Sequence, residues 1–455
     1  MIKKYTQLLI GICLLSLFAC QKDFLDKKPN KALLIPQKLA DFQALLDNIT
    51  MNRVPDLQHI AADDCFVDDG GFSSLDIISQ NAYIWSQDTY QNIPIISGWN
   101  TPYSQVFYCN IVLDGLEKIK DTETDKVGMG QIHASALFYR AFAFFNLLQV
   151  FAAPYGGGNE NSLLGVPIRL SADVNEVVPR SNLKESYDLV VKDLERSIEL
   201  FSTGGSAKSR PSKAAAQALL ARVYLAMSNY KMSKQYASIV LASNEKLLDY
   251  NLLDSTSTRP LPNPLLAVND EVIFYATILD LTFTGSSVVC IDSSLTASYG
   301  NGDLRKPMFF RKNGKYWSMK GNYSGARQYF NGLATDEMIL IQAECLAREG
   351  AVEEAMANLN KLLVKRWKKN QFVPLTAINQ KDALSKILAE RRKELVCRGL
   401  RWSDLRRFNL INEDKITMKR NILNKEYQLL PNDKRYVFAI PNDAVILGGL
   451  IQNER

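Results

Sequence analysis

Histidine is almost missing from this chain: its 455 residues include two, His59 and His133. Imidazole is the usual proton carrier near neutral pH, so a histidine-based nucleophilic triad would have to use one of them. Neither stands at metal-ligand spacing from the other or from a cysteine. His133 falls within a long apolar helical segment and reads as a packed helix residue. No Gly-x-Ser-x-Gly elbow occurs; Gly321-Asn322-Tyr323-Ser324-Gly325 misses its register. Gly156-Gly157-Gly158 lacks the Lys-Ser/Thr of a phosphate loop and reads as a helix stop. Cysteine is sparse as well. Beyond Cys13 and Cys20, the five cysteines Cys65, Cys109, Cys290, Cys345 and Cys397 are odd in number and far apart, which argues against a disulfide scaffold or a zinc site. Most of them read as small buried hydrophobes, and one disulfide stays open in an oxidising compartment.

Charge of one sign is lacking too. The balance is 54 basic against 48 acidic residues, or +6, too weak and too dispersed for a nucleic-acid surface. The densest basic run, 365–369, closes a helical pattern and reads as a solvated helix end, where cations complement the dipole. Asp63-Asp64 and Asp68-Asp69 could offer oxygen ligands to calcium, but the EF-hand spacing is absent and they read as a solvated acidic loop. The sequence singles out no catalytic residue, no metal site and no cofactor.

What is present begins at the N-terminus. Lys3 and Lys4 precede an apolar run from Leu8 to Ala19 that stops at Cys20. The run is too short to span a bilayer and reads as a secretory leader over residues 1–19. Leu17-Phe18-Ala19-Cys20 resembles a bacterial lipobox, with Phe18 larger than usual, so Cys20 is the expected lipidation site. No later segment reads as a membrane-spanning helix. Residues 20–455 are expected to form a single domain.

Helical periodicity dominates that domain. Leu183, Tyr187, Val190, Val191, Leu194, Ile198 and Phe201 recur every three or four residues, with Asn182 and Glu185 placed as a capping box. Segment 131–151 is apolar nearly all round and predicts a central buried helix. Arg140 within it needs a buried partner. The Ala-rich segment 213–227 and a segment from about 231 that ends before Ser243 form one helix pair; 333–350 and 351–367 form another, split at Gly350. Small residues at the crossings follow tetratricopeptide logic. The fold class is therefore mainly α, a tetratricopeptide-like helix-pair scaffold with irregular, loop-rich and short β elaborations near 54–100 and 255–331. Glu271-Val272-Ile273-Phe274-Tyr275 reads as a strand.

One stretch is more specific. Glu390-Arg391-Arg392-Lys393-Glu394-Leu395, leading into Gly399-Leu400-Arg401-Trp402-Ser403-Asp404-Leu405-Arg406-Arg407, closely resembles the C-terminal signature of the SusD/RagB family of Bacteroidetes. Asp23-Phe24-Leu25-Asp26, 136–147, 343–350, Ala439-Ile440-Pro441 and Gln452-Asn453 resemble further family segments in collinear order. The terminal Asn453-Glu454-Arg455 departs from the family's usual ending. The resemblance implies a SusD-like fold and a non-enzymatic, lipid-anchored protein on the outer surface of the outer membrane. It implies capture of a nutrient, most often an oligosaccharide, and delivery to a SusC-like TonB-dependent transporter. The residues themselves argue that Glu390, Arg391, Arg401, Asp404 and Arg406 are structural, because charges on that apolar helical face must pair.

Sugar rings stack on aromatics. The irregular blocks offer Tyr83, Trp85, Trp99, Tyr103, Tyr299, Tyr316, Trp317, Tyr323 and Tyr329, of which Trp85, Trp99, Tyr299 and Trp317 are the expected ligand-binding residues. Two alternatives stay open: a helical-repeat scaffold that binds only protein, and a lipid-anchored hydrolase with two converging carboxylates.

Overall fold

The computed structural model describes residues 36–202, 207–279, 282–411 and 415–455. The leader and Cys20 lie outside them. Ten helices carry the architecture: α1 (Leu39–Leu46), α2 (Ser97–Ile119), α3 (Lys126–Phe151), α4 (Leu183–Leu200), α5 (Lys213–Ala226), α6 (Tyr230–Ser243), α7 (Thr335–Arg348), α8 (Val352–Leu363), α9 (Gln380–Glu394) and α10 (Arg401–Ile411). From α2 to α8 each helix packs on the next, and α9 closes on α7 and α8.

Local chemistry sets the boundaries. Asn182 accepts from the Glu185 backbone while Glu185 returns to Asn182, so the expected capping box starts α4. Ser212, Asn229 and Asn379 cap α5, α6 and α9, each side chain accepting one backbone N–H of the first turn. Between α7 and α8 the chain turns at Gly350 with φ of 86°, a conformation glycine adopts without a Cβ clash.

α3 is the central helix. By length and composition it could cross a bilayer, contrary to the expectation that no such segment follows the leader, yet its most apolar stretch is wholly buried in protein. Its one interior charge finds the partner it requires. Arg140 Nε and Nη2 donate to Asp193 on α4 at 2.7 and 2.9 Å, and Nη1 donates to Asn110 on α2 at 3.1 Å.

The C-terminal signature is a buried ionic lattice. Arg305 reaches Asp303, Glu390 and Glu394; Arg366 reaches Glu271 and Glu394; Arg391 and Arg407 share Asp404; Arg398 holds Asp336. Arg406 donates to the carbonyls of Gln149 and Ala152, capping the end of α3. Arg366 corrects the reading of 365–369 as a solvated end: it is fully buried, because two carboxylates from distant segments converge on it.

Block 54–100 is more ordered than its composition suggests. It contains short helices Leu57–Ala61, Asp69–Ser74 and Ile77–Tyr83, the last two capped by Asp68 and Asp76. These turns are too short to show a period. Of the two acidic pairs there, Asp68-Asp69 is solvent-exposed at the start of a short helix, but Asp63-Asp64 is not a solvated loop. Asp63 receives Arg401 at 2.7 and 3.0 Å, and Asp64 is buried, accepting the Cys397 backbone N–H.

Candidate functional site

Two short strand pairings join the irregular blocks. Arg53–Val54 runs parallel to Thr277–Ile278, and Cys65–Phe66 runs antiparallel to Cys290–Ile291. Against this seam lies a hairpin, Phe310–Asn313 paired with Tyr316–Met319, turning at Gly314 with φ of 56°. Asn313 donates to the Ser287 carbonyl and to Ser318, and Ser318 donates to the Val289 carbonyl, so the hairpin is bolted to segment 286–291. Loop 322–326 is fixed from within. Asn322 accepts from the backbones of Ser324 and Phe330, and Ser324 donates to the Gln328 carbonyl.

Hairpin, loop and segments 258–259 and 284–289 enclose a groove of about 450 Å³. Its walls carry Arg259, Arg311, Lys320 and Arg327 and no Asp or Glu. Arg327 is held by the Gly285 carbonyl at 2.9 Å, and the Lys320 ammonium by the Ser255 carbonyl at 2.8 Å. Burial lowers the Lys320 ammonium below its ordinary value, partly offset by Asp254. Among the described residues no carboxylate lies within ion-pair distance of these four cations. Thr258, Ser286, Ser318 and Asn322 add neutral polar groups, and Tyr329 and Met319 give apolar surface.

The sequence reading missed this groove, although a signal for it exists. From Leu304 to Thr335 the chain has seven basic residues, Arg305, Lys306, Arg311, Lys312, Lys315, Lys320 and Arg327, and no acid. The near-neutral overall balance hides that run.

The four expected aromatics do not converge on it. Trp85 is a core residue: its indole N–H donates to the Ala61 carbonyl at 3.0 Å and Arg420 covers its ring. Trp99 is buried edge-to-face on Phe151 and beside Tyr103. Tyr299 donates to the Lys393 carbonyl at 2.8 Å and packs on Phe310. These three rings are spent on packing, which corrects their selection as stacking residues; large aromatics fill cores even in loop-rich stretches. Trp317 is half-buried, with Lys312 and Lys306 at 4.2 and 5.3 Å from its ring centroid. Strand alternation puts it on the hairpin face opposite Arg311 and Ser318.

Two other clusters have the composition of a site. Glu271, Asp336 and Glu394 bring three carboxylates within 4.8 Å. Burial pushes Glu271 up to about 7 even against Arg366. All three are fully buried, and Arg366, Arg398 and Arg305 occupy the positions a cation or substrate would need. His59, Cys65 and Cys397 also lie within 4.8 Å, with the sulfurs 3.6 Å apart. The Cys397 contact, foremost among the causes, lowers the Cys65 thiol to about 6. This soft donor set could hold a thiophilic metal, but it is enclosed and offers no open position. Chain separation of more than 300 residues hid it from spacing arguments. A second cavity, about 500 Å³ between 153–164 and the C-terminus, is walled by groups already engaged. Gln452 exchanges two hydrogen bonds with Ile440, and Asn453 donates to Phe151 and Phe438.

Comparison with known proteins agrees with this architecture. A family profile described as starch-binding, associating with the outer membrane, matches residues 23–225, and one described as the SusD family matches 292–444. SusD-like protein P2 of Formosa agariphila is 24% identical over 378 residues, 69% of this chain and 72% of its own length. SusD-like protein P38 of the same organism is 24% identical over 380 residues, 68% of this chain and 72% of its own length. Among solved structures, a SusD superfamily protein from Bacteroides thetaiotaomicron superposes with TM-score 0.71 at 20% identity, covering 92% of this chain and 100% of that one. A SusD-like carbohydrate-binding protein from Bacteroides vulgatus does so with TM-score 0.64 at 18% identity, covering 91% and 97%. Two profiles of one kind, in collinear order over both halves of a helix-pair scaffold that carries the Arg-Trp-Ser-Asp-Leu-Arg-Arg signature, place this chain in the SusD/RagB family.

Proposed function

We propose that this protein captures a carbohydrate nutrient at the outer membrane and passes it to a SusC-like TonB-dependent transporter, without chemical turnover. The carrying observation is the preformed 450 Å³ groove on the loop-rich block, within the size range of ligand sites, about 300–1,000 Å³. Family membership supports the reading, since relatives are described as starch-binding and carbohydrate-binding. The carboxylate clusters found among the described residues are sealed by arginines, so they offer no open acid pair to a glycosidic bond. Acylation of Cys20 supplies the anchor in this reading, and the scaffold faces outward from the membrane.

The test is a glycan array followed by calorimetry on the purified protein, with chromatography of the recovered glycan. Binding with the glycan returned intact supports capture. Shortened glycan would restore the hydrolase, and silence against every glycan would leave the protein-binding scaffold.

A further inference from the structure

We infer that the groove selects an anionic oligosaccharide, one bearing carboxylate or sulfate groups along the sugar chain. This rests on the capture reading above and narrows its ligand class. Among the described residues the groove wall has four cations and no acid, in a chain whose charges are otherwise nearly balanced. Like charges gathered round one concavity raise the energy of the empty groove, and an anion relieves it.

The donors are also poised. Arg327 and Lys320 each spend one hydrogen bond on a backbone carbonyl, which fixes their direction and leaves their remaining N–H groups for a ligand. Arg259 and Arg311 side chains donate to no described residue. A guanidinium fork matches the paired oxygens of a carboxylate or a sulfate, whereas a neutral sugar hydroxyl uses one N–H at a time. The Thr258 and Ser286 hydroxyls supply what the uncharged parts of a sugar need, while Ser318 and Asn322 are engaged in holding the groove's walls. A groove built for a neutral glycan would present open aromatic faces, yet the one aromatic among its described lining residues, Tyr329, is buried, Tyr316 packs on Phe66, and Trp317 lies on the other face of the hairpin.

The experiment titrates the purified protein with size-matched neutral, uronate-bearing and sulfated oligosaccharides, at about 0.05 and 0.5 M salt. Arg311→Ala, Arg327→Ala and Arg311→Lys are measured in parallel. Arg311 and Arg327 are exposed, so an unchanged melting midpoint shows that the variants fold. The expected result is acidic-glycan binding that weakens at high salt and falls about tenfold or more in each alanine variant. Arg311→Lys should recover part of it, since the charge remains and the fork does not. A preference for uronate over sulfate, or the reverse, identifies which anion the groove takes. Equal binding of neutral glycans, or acidic binding indifferent to both arginines, overturns the inference while leaving capture standing. Binding to none of the three classes overturns capture itself.

Discussion

Replacing Glu344 by Gln should remove a stability contribution whose size and pH dependence both follow from its surroundings. Glu344 on α7 is fully buried and accepts from Arg407 on α10 at 2.8 Å and from Arg348 at 2.9 Å. Burial alone would raise its carboxyl; Arg407, with help from Arg348, overcomes burial and holds it at about 2 against an ordinary 4.5. At about 1.4 kcal/mol for each pH unit, a carboxyl so displaced stabilises the fold by about 3 kcal/mol at neutral pH. Because the folded value is the depressed one, that contribution is complete above the unfolded value near 4.5 and is lost as pH falls toward 2. Glutamine keeps the shape and cannot ionise. Urea unfolding followed by circular dichroism should therefore show the variant about 3 kcal/mol less stable at pH 7, with the gap narrowing to about 1 kcal/mol at pH 3. A gap that stays constant across this range would refute the ionic argument and assign the loss to hydrogen-bond geometry.

Three further outcomes are expected. Asp193→Ala strands the Arg140 charge beside α3 and should cost about 3–5 kcal/mol, while Arg140→Met with Asp193→Leu should cost much less; the same unfolding assay separates them. Trp85→Ala and Trp99→Ala should each destabilise by about 3–5 kcal/mol and leave glycan affinity of the folded fraction unchanged, as calorimetry below the melting midpoint can show. Gly350→Ala meets no atom and should cost about 1–2 kcal/mol in backbone strain alone, whereas a Cβ at Gly325 would lie 2.4 Å from the Asn263 backbone; Gly325→Ala should cost more and also loosen the groove, read as a lower melting midpoint and a weaker ligand isotherm.

Local rules made much of the fold legible. The capping box at Asn182 and Glu185, the period of α4 and the glycine between α7 and α8 are statements about residues within a few positions of one another, and each stands where the pattern puts it. The demand that Arg140 find a partner was legible; that Asp193 would meet it was not. Burial of Arg366 and Asp64 escaped notice because a charge run looks solvated until the carboxylates or amides that neutralise it arrive from other segments. The aromatics show the same limit. Tryptophan in a Gly- and Asn-rich stretch satisfies the composition of a sugar platform and of a loop core equally well, and only the positions of Ala61, Arg420 and Phe151 separate them.

By itself, then, the sequence determined the helical class, the main helix boundaries, the buried central helix and, through 390–407, the family. These depend on periodicity, capping and a signature contiguous in the chain. The tertiary structure alone decided where a ligand can sit. Segments 258–259, 284–289, 311–320 and 322–329 become one groove only because the hairpin and the 322–329 loop are tied back to 285–289 across some tens of residues, and the sign of its charge emerges only when four cations from those segments face the same space.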